Sequence, residues 1–211
     1  MSLPRVFFLL LCLLPLSAIG ASLPREVELG LVAGAAFIRY EDIEEWVPAE
    51  SGMPVTEGDQ IRVDGGGRVE IRVRGGAVVR LDEESTVDIL ALEKGFVQLF
   101  MPEGDLHAIL PGGKRVGLEI ETPFASLRAA SKAVFRLSIS GEEDAAEIAV
   151  SRGEVYVDSI RGGWKVTAGK SLYLEEGNNE FGPLDPPDEW DLWNRERDLK
   201  EGGAIPGDRL P

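Results

Sequence analysis

Two of the residue types that carry most protein chemistry are nearly missing: the chain has one cysteine, Cys12, and one histidine, His107. Cys12 lies inside an apolar run near the N-terminus and leaves with it if that run is cleaved. A mature chain without thiols has no disulfides and no thiolate chemistry. A lone histidine cannot assemble a zinc site, which takes three or four ligands. His107 falls on an alternating strand and reads as an ordinary surface or rim histidine. Basic charge is also scarce, with 22 Lys and Arg against 37 Asp and Glu for a net charge of −15. That balance excludes nucleic acid and anionic lipid surfaces as partners, because like charges repel. No G-x-S-x-G elbow, no P-loop and no G-x-G-x-x-G opening a helix occurs, so serine hydrolysis and nucleotide binding lose their usual signatures. The sequence therefore offers no catalytic residues, no metal ligands and no cofactor site.

Long apolar runs are absent too, save for VFFLLLCLLPLSAIGA at residues 6–21. A spanning helix needs about 20 apolar residues; this run is shorter and carries Pro15. Arg5 before it, with Ala18 and Gly20 near its end, makes it a secretory signal peptide over residues 1–21, cut after Gly20 or Ala21. The leucines before Cys12 do not fit a lipoprotein site. No membrane span is expected after cleavage, and the expected location is periplasmic or secreted.

Glycine and alternation fill what remains. Ile61 and Val63, then Val69, Ile71 and Val73, then Ala77, Val79 and Leu81, then Val87 and Ile89 alternate with polar residues. One face of each segment is apolar and the other wet, because successive strand side chains point to opposite sides. Asp64-Gly65-Gly66-Gly67 and Gly75-Gly76 mark turns, so residues 55–92 read as an antiparallel meander. Val97, Leu99 and Met101, then Leu106, Ala108 and Leu110, then Val116, Leu118 and Ile120 repeat the pattern, and Phe135 to Leu174 continue it. About a dozen short strands with glycine turns predict an all-β fold, a sandwich, roll or solenoid-like stack. Residues 57–76 and 152–171 echo each other weakly, as any two hairpins can.

The composition changes at Gly177. A Pro-rich linker over residues 177–187 precedes a helix at 188–200, with Asp188 as its cap, Glu189 and Asp191 in its first turn, and Arg197 and Lys200 near its end. Trp190, Trp193 and Arg197 share one helix face and predict docking on the β domain of residues 22–176. Residues 201–211 read as a disordered tail. The other two tryptophans, Trp46 and Trp164, fall in or beside loops and are the candidates for contact with a protein or a glycan. The acidic runs at 41–45, 82–84, 142–144 and 185–191 read as solvated turns. They show no EF-hand spacing, although calcium could use such oxygens.

Trp46-Val47-Pro48, Glu57-Gly58-Asp59-Gln60, Arg68-Val69-Glu70, Val79-Arg80-Leu81 and Ser85-Thr86 occur in the order found in one family. Glu103-Gly104-Asp105-Leu106, Thr122-Pro123, Phe135-Arg136-Leu137, Val150 to Val155, Ala168-Gly169 and residues 190–198 continue that order. Over residues 32–200 the chain resembles the FecR-like domain, in particular secreted members that end in an aspartate-, tryptophan- and arginine-rich helix. Founding members are anti-sigma regulators with a cytoplasmic segment and one membrane span, for which this sequence has no counterpart. Many members also place Gly-Thr where Ala130-Ser131-Lys132 stands. The resemblance implies an exported, non-enzymatic β module, a scaffold or signalling element that contacts an envelope protein. The alternatives are a cell-wall glycan-binding module and a carboxylate-dependent glycan hydrolase, which needs two carboxyl groups about 5–10 Å apart in a cleft.

Overall fold

The computed structural model describes residues 26–112, 116–130, 132–142, 144–175 and 178–200. The expected signal peptide at 1–21 and the expected tail at 201–211 lie outside them. Within the described residues the chain forms sixteen strands and one helix, passed back and forth between two sheets. β1 (Val27–Ala33) opens sheet A, and β2 (Ala36–Arg39), β3 (Val47–Pro48) and β4 (Gln60–Val63) lie in sheet B. β5 (Arg68–Val73) and β6 (Ala77–Leu81) return to A, and β7 (Ser85–Glu93) to B. The long β8 (Phe96–Ile109) begins in B and ends in A. β9 (Gly117–Glu121) and β10 (Ser126–Ala129) are in B, β11 (Val134–Ser140) and β12 (Ala145–Arg152) in A. β13 (Glu154–Ser159) and β14 (Gly162–Thr167) close B; β15 (Lys170–Glu175) and β16 (Asn178–Pro183) close A, before α1 (Glu189–Lys200).

Sheet A runs β1-β5-β6-β8-β11-β12-β15-β16 and sheet B runs β3-β2-β4-β7-β8-β9-β10-β13-β14. After β7 each sheet grows strand by strand in chain order, so the all-β fold is a solenoid-like roll with one C-terminal helix. Every pairing is antiparallel except β8 with β9, which is parallel.

Residues 55–92 are not a meander. β5 and β6 pair as a hairpin, but β4 pairs with β2 and β7 in the other sheet. The glycine segment 64–67 is a crossing between layers, not a hairpin turn. Its sequence looks the same because both need compact backbone. The echo between 57–76 and 152–171 fails for the same reason: the first spans a crossing, the second contains the β13–β14 hairpin. Half of the expected linker is also strand. Residues 178–183 pair with all of β15, because an unpaired edge offers backbone partners whatever the proline content nearby.

The alternation buries one face of each sheet. Across sheet A, Val69, Leu81, Leu106, Leu137, Ile148 and Leu172 stand opposite one another in register, and all six are fully buried. They meet the inward residues of sheet B, among them Ile38, Ile61, Val87, Leu99, Ile120, Leu127 and Val157, in one core. At the corners backbone meets backbone: Gly67 carries no Cβ because one would stand 2.3 Å from the Ala35 carbonyl oxygen, and Gly153 (φ +76°) faces the Lys132 carbonyl oxygen at the same 2.3 Å. Gly153→Ala adds a left-handed penalty to that collision. It is expected to lower unfolding free energy in urea by about 2 kcal/mol or more, while Gly141→Ala, which meets open space, stays within about 0.5 kcal/mol.

Candidate functional site

The outward row of sheet A is the unusual one. Glu70, Arg80, His107 and Arg136 stand side by side on β5, β6, β8 and β11. Alternation alone would send them to water. Instead Glu70 and Arg80 are almost wholly buried, because α1 lies across them.

The helix starts with a reciprocal cap. Asp188 Oδ1 accepts from the Asp191 N–H at 2.9 Å, and Asp191 Oδ2 accepts from the Asp188 N–H at 3.3 Å. This is the capping-box arrangement with aspartate at both ends. Arg136 ties the cap to the sheet, bonded to Asp105 (2.7 Å) on one side and Asp188 (2.5 Å) on the other. Further along, Arg80 donates to Glu70 (2.8 Å), to Asp198 (2.7 Å) and to the Asn194 side chain and carbonyl (3.2 Å each). Arg197 donates to both Glu70 oxygens at 3.3 Å. Between these two ionic clamps Trp190 stacks on Trp193, centroids 5.1 Å apart. Arg68, held by Asp82 at 2.7 Å, lies over both rings at 5.3 and 4.9 Å. Trp190 is buried; Trp193 and Arg197 are partly so.

These contacts set the charges. Burial by itself would raise the Glu70 carboxyl, but the hydrogen bonds from Arg197 and Arg80 outweigh it and hold the group below its ordinary value. Burial likewise works against Asp188, and Arg136 and the cap overcome it. Asp191 goes the other way, raised by burial with the Asp188 charge adding to it. Removing one member of a buried pair leaves the other uncompensated. Arg80→Ala leaves Glu70 with the more exposed Arg72 (2.8 Å) and Arg197 and strips Asp198 and Asn194 of their partner. It is expected to cost about 3 kcal/mol in chemical denaturation, against about 1 kcal/mol for Arg197→Ala, whose loss leaves Glu70 paired with Arg80 and Arg72. Truncation after Pro187 removes the tryptophan stack and should lower the Tm by about 10 °C.

His107 is more enclosed than a surface histidine, partly buried at the edge of a cavity. It sits between Arg80 and Arg136 on the face that α1 covers, with Nδ1 buried and unpartnered. Burial first, then the two guanidinium charges, lower its pKa to about 3. The imidazole is neutral at pH 7. An unfolded chain takes up a proton below about pH 6.5, whereas the folded one does so only near pH 3. The difference destabilises the fold as pH falls through that window. His107→Gln should remove up to about 2 kcal/mol of the stability lost between about pH 6.5 and 5, measured by urea denaturation at both pH values.

Beside His107 a cavity of about 800 Å³ opens between β11–β12 and the segment 184–188 with α1, lined by Arg136, Glu147, Asp185, Asp188, Asp191 and Arg195 among others. Asp188 and Asp191 are on one wall, in one cap, beside one arginine. Glu147 lines the cavity from β12, on the sheet wall. Among the described residues no group of three or more His, Cys, Asp or Glu side chains is placed to hold a metal, and no helix is long and apolar enough to cross a membrane.

The tryptophans divide by place. Trp46 lies before β3 at one end of sheet B, with Arg62 and Arg39 over its ring at 4.9 and 5.4 Å. Trp164 is on β14 at the other end, opposite Val157 and packed in part against the core. Neither touches the helix face, and the sheet residues beneath α1 escape a sequence reading because alternation labels them as solvent-facing.

Residues 59–156 match the family model described as FecR protein. The FecR likeness is to this segment, a little under half of the chain. The match runs from β4 into β13 and includes Glu70, Arg80, His107 and Arg136, while α1, Trp46 and Trp164 fall outside it. Two crystal structures of a candidate anti-sigma factor from Parabacteroides distasonis, at 1.65 and 2.50 Å resolution, share the fold. Each has a TM-score of 0.50, with 17% and 18% identity, and the likeness covers 60% of this chain and 59% of theirs. The chain thus spans about six-tenths of the length of the structures it matches. No curated protein matches it.

Proposed function

We propose that the protein is an exported, non-enzymatic FecR-type module, periplasmic or secreted after signal cleavage, which engages a protein partner of the cell envelope in a regulatory or scaffolding role. The FecR match carries this reading. The ionisable groups around α1 favour it over hydrolysis, since Glu70, Asp105, Asp188 and Asp198 are committed to arginines and the one histidine is a very weak base. A glycan-binding reading would use Trp46 or Trp164, yet guanidinium groups lie over the first ring and the core partly covers the second.

With a net charge of −15 and acidic residues in the exposed loop that holds Glu41, Asp42, Glu44 and Glu45, a basic partner surface is favoured, with modest affinity screened by salt. Crosslinking in the native envelope followed by mass spectrometry is expected to recover one envelope protein. Its yield should drop about threefold or more between about 0.05 and 0.3 M salt. Recovery of glycan alone, or co-sedimentation with cell-wall material that depends on Trp46 or Trp164, would replace this reading by the glycan one.

A further inference from the structure

The buried row of sheet A has a seventh member. Leu172 stands opposite Phe181 on β16, so both side chains point to the same face, the one that meets sheet B. Leu172 and the five residues before it are fully buried, whereas Phe181 is 47% exposed. The difference lies in the other layer. Sheet A continues past β12 to β15 and β16, while among the described residues sheet B stops at β14, so no described strand of sheet B lies above Phe181. Trp164, inward-facing on β14 opposite the buried Val157, stands half-covered at the same boundary. Ile160, at the tip of the β13–β14 hairpin, is wholly exposed. Arg161 donates from Nη1 to the Glu175 carbonyl at 2.9 Å and fixes that tip to the end of β15, so the two layers are held in place around the gap.

We infer that β14 is the edge at which a partner strand docks, so that an extended segment of another protein completes sheet B over Phe181. Among the described residues β14 has a strand neighbour on one side only, and the other side offers backbone donors and acceptors for strand addition. The guest strand needs an apolar residue at alternate positions, to cover Phe181 and the open flank of Trp164 while its other side chains face water. A second copy of this chain is a poor guest, since two bodies each of charge −15 repel; the guest is a basic segment. The inference rests on the protein-partner reading above and names its site.

The test places a photoreactive residue at the exposed Phe181 (Phe181→p-benzoylphenylalanine), with Leu192→p-benzoylphenylalanine on the outer side of α1 as control, both in the full chain in its native envelope. Crosslinks from position 181 are expected on one basic, alternating segment of one protein and to fall about tenfold in an Ile160→Lys background, which removes the apolar contact and sets like charge against the guest. A synthetic peptide of that segment should slow hydrogen exchange at residues 162–167 and leave β3 unchanged. Crosslinking to a second copy, or equal yields from 181 and 192, overturns the inference. A protein captured from 192 but not 181 overturns the edge and leaves the protein-partner reading standing. Glycan alone, or nothing from either position, overturns both.

Discussion

Glu70 carries a carboxylate at a position closed to solvent, and the helix side of the molecule follows from how that charge is neutralised. Arg72 answers it from its own strand, Arg80 from the next and Arg197 from the helix. Arg80 is anchored in turn by Asp198 and Asn194. A charge buried without partners would cost several kcal/mol, so the pair and the helix above it are mutually dependent. The sheet keeps Arg80 beside Glu70 through the β5–β6 register, and the helix keeps water out.

The same dependence explains why a helix with only Trp190 and Asn194 buried holds one orientation. Dispersion and apolar burial are not directional, whereas the arginine forks are. Arg136 fixes the first turn and Arg80 with Arg197 fixes the last two, so sliding α1 by one turn would break both clamps together. His107, between the two arginines, stays neutral under them. A third cation at that point would have no carboxylate of its own.

The two faces of the roll thus divide the work. The inner faces supply stability through an aliphatic core. On the outer side, sheet A carries α1, while among the described residues the outer face of sheet B carries no helix. The residues 59–156 that match the FecR model contain strands from β4 to β12 and the sheet side of the clamps.

What the sequence determined by itself was local: period-two alternation, glycine punctuation and the Asp188 cap identify strands, corners and the helix start, because each depends on a few neighbouring residues. The parallel β8–β9 pair, the separation of β4 from β5, and strand β16 within a proline-rich segment were decided by which edges were open in three dimensions. Alternation marks Glu70, Arg80, His107 and Arg136 as solvent-facing, and only the return of residues 189–200, more than fifty positions after the last of them, buries the row. Phe181 is the converse. Its place in an apolar register row predicts burial, and it is exposed because the opposite sheet ends one strand too soon to cover it.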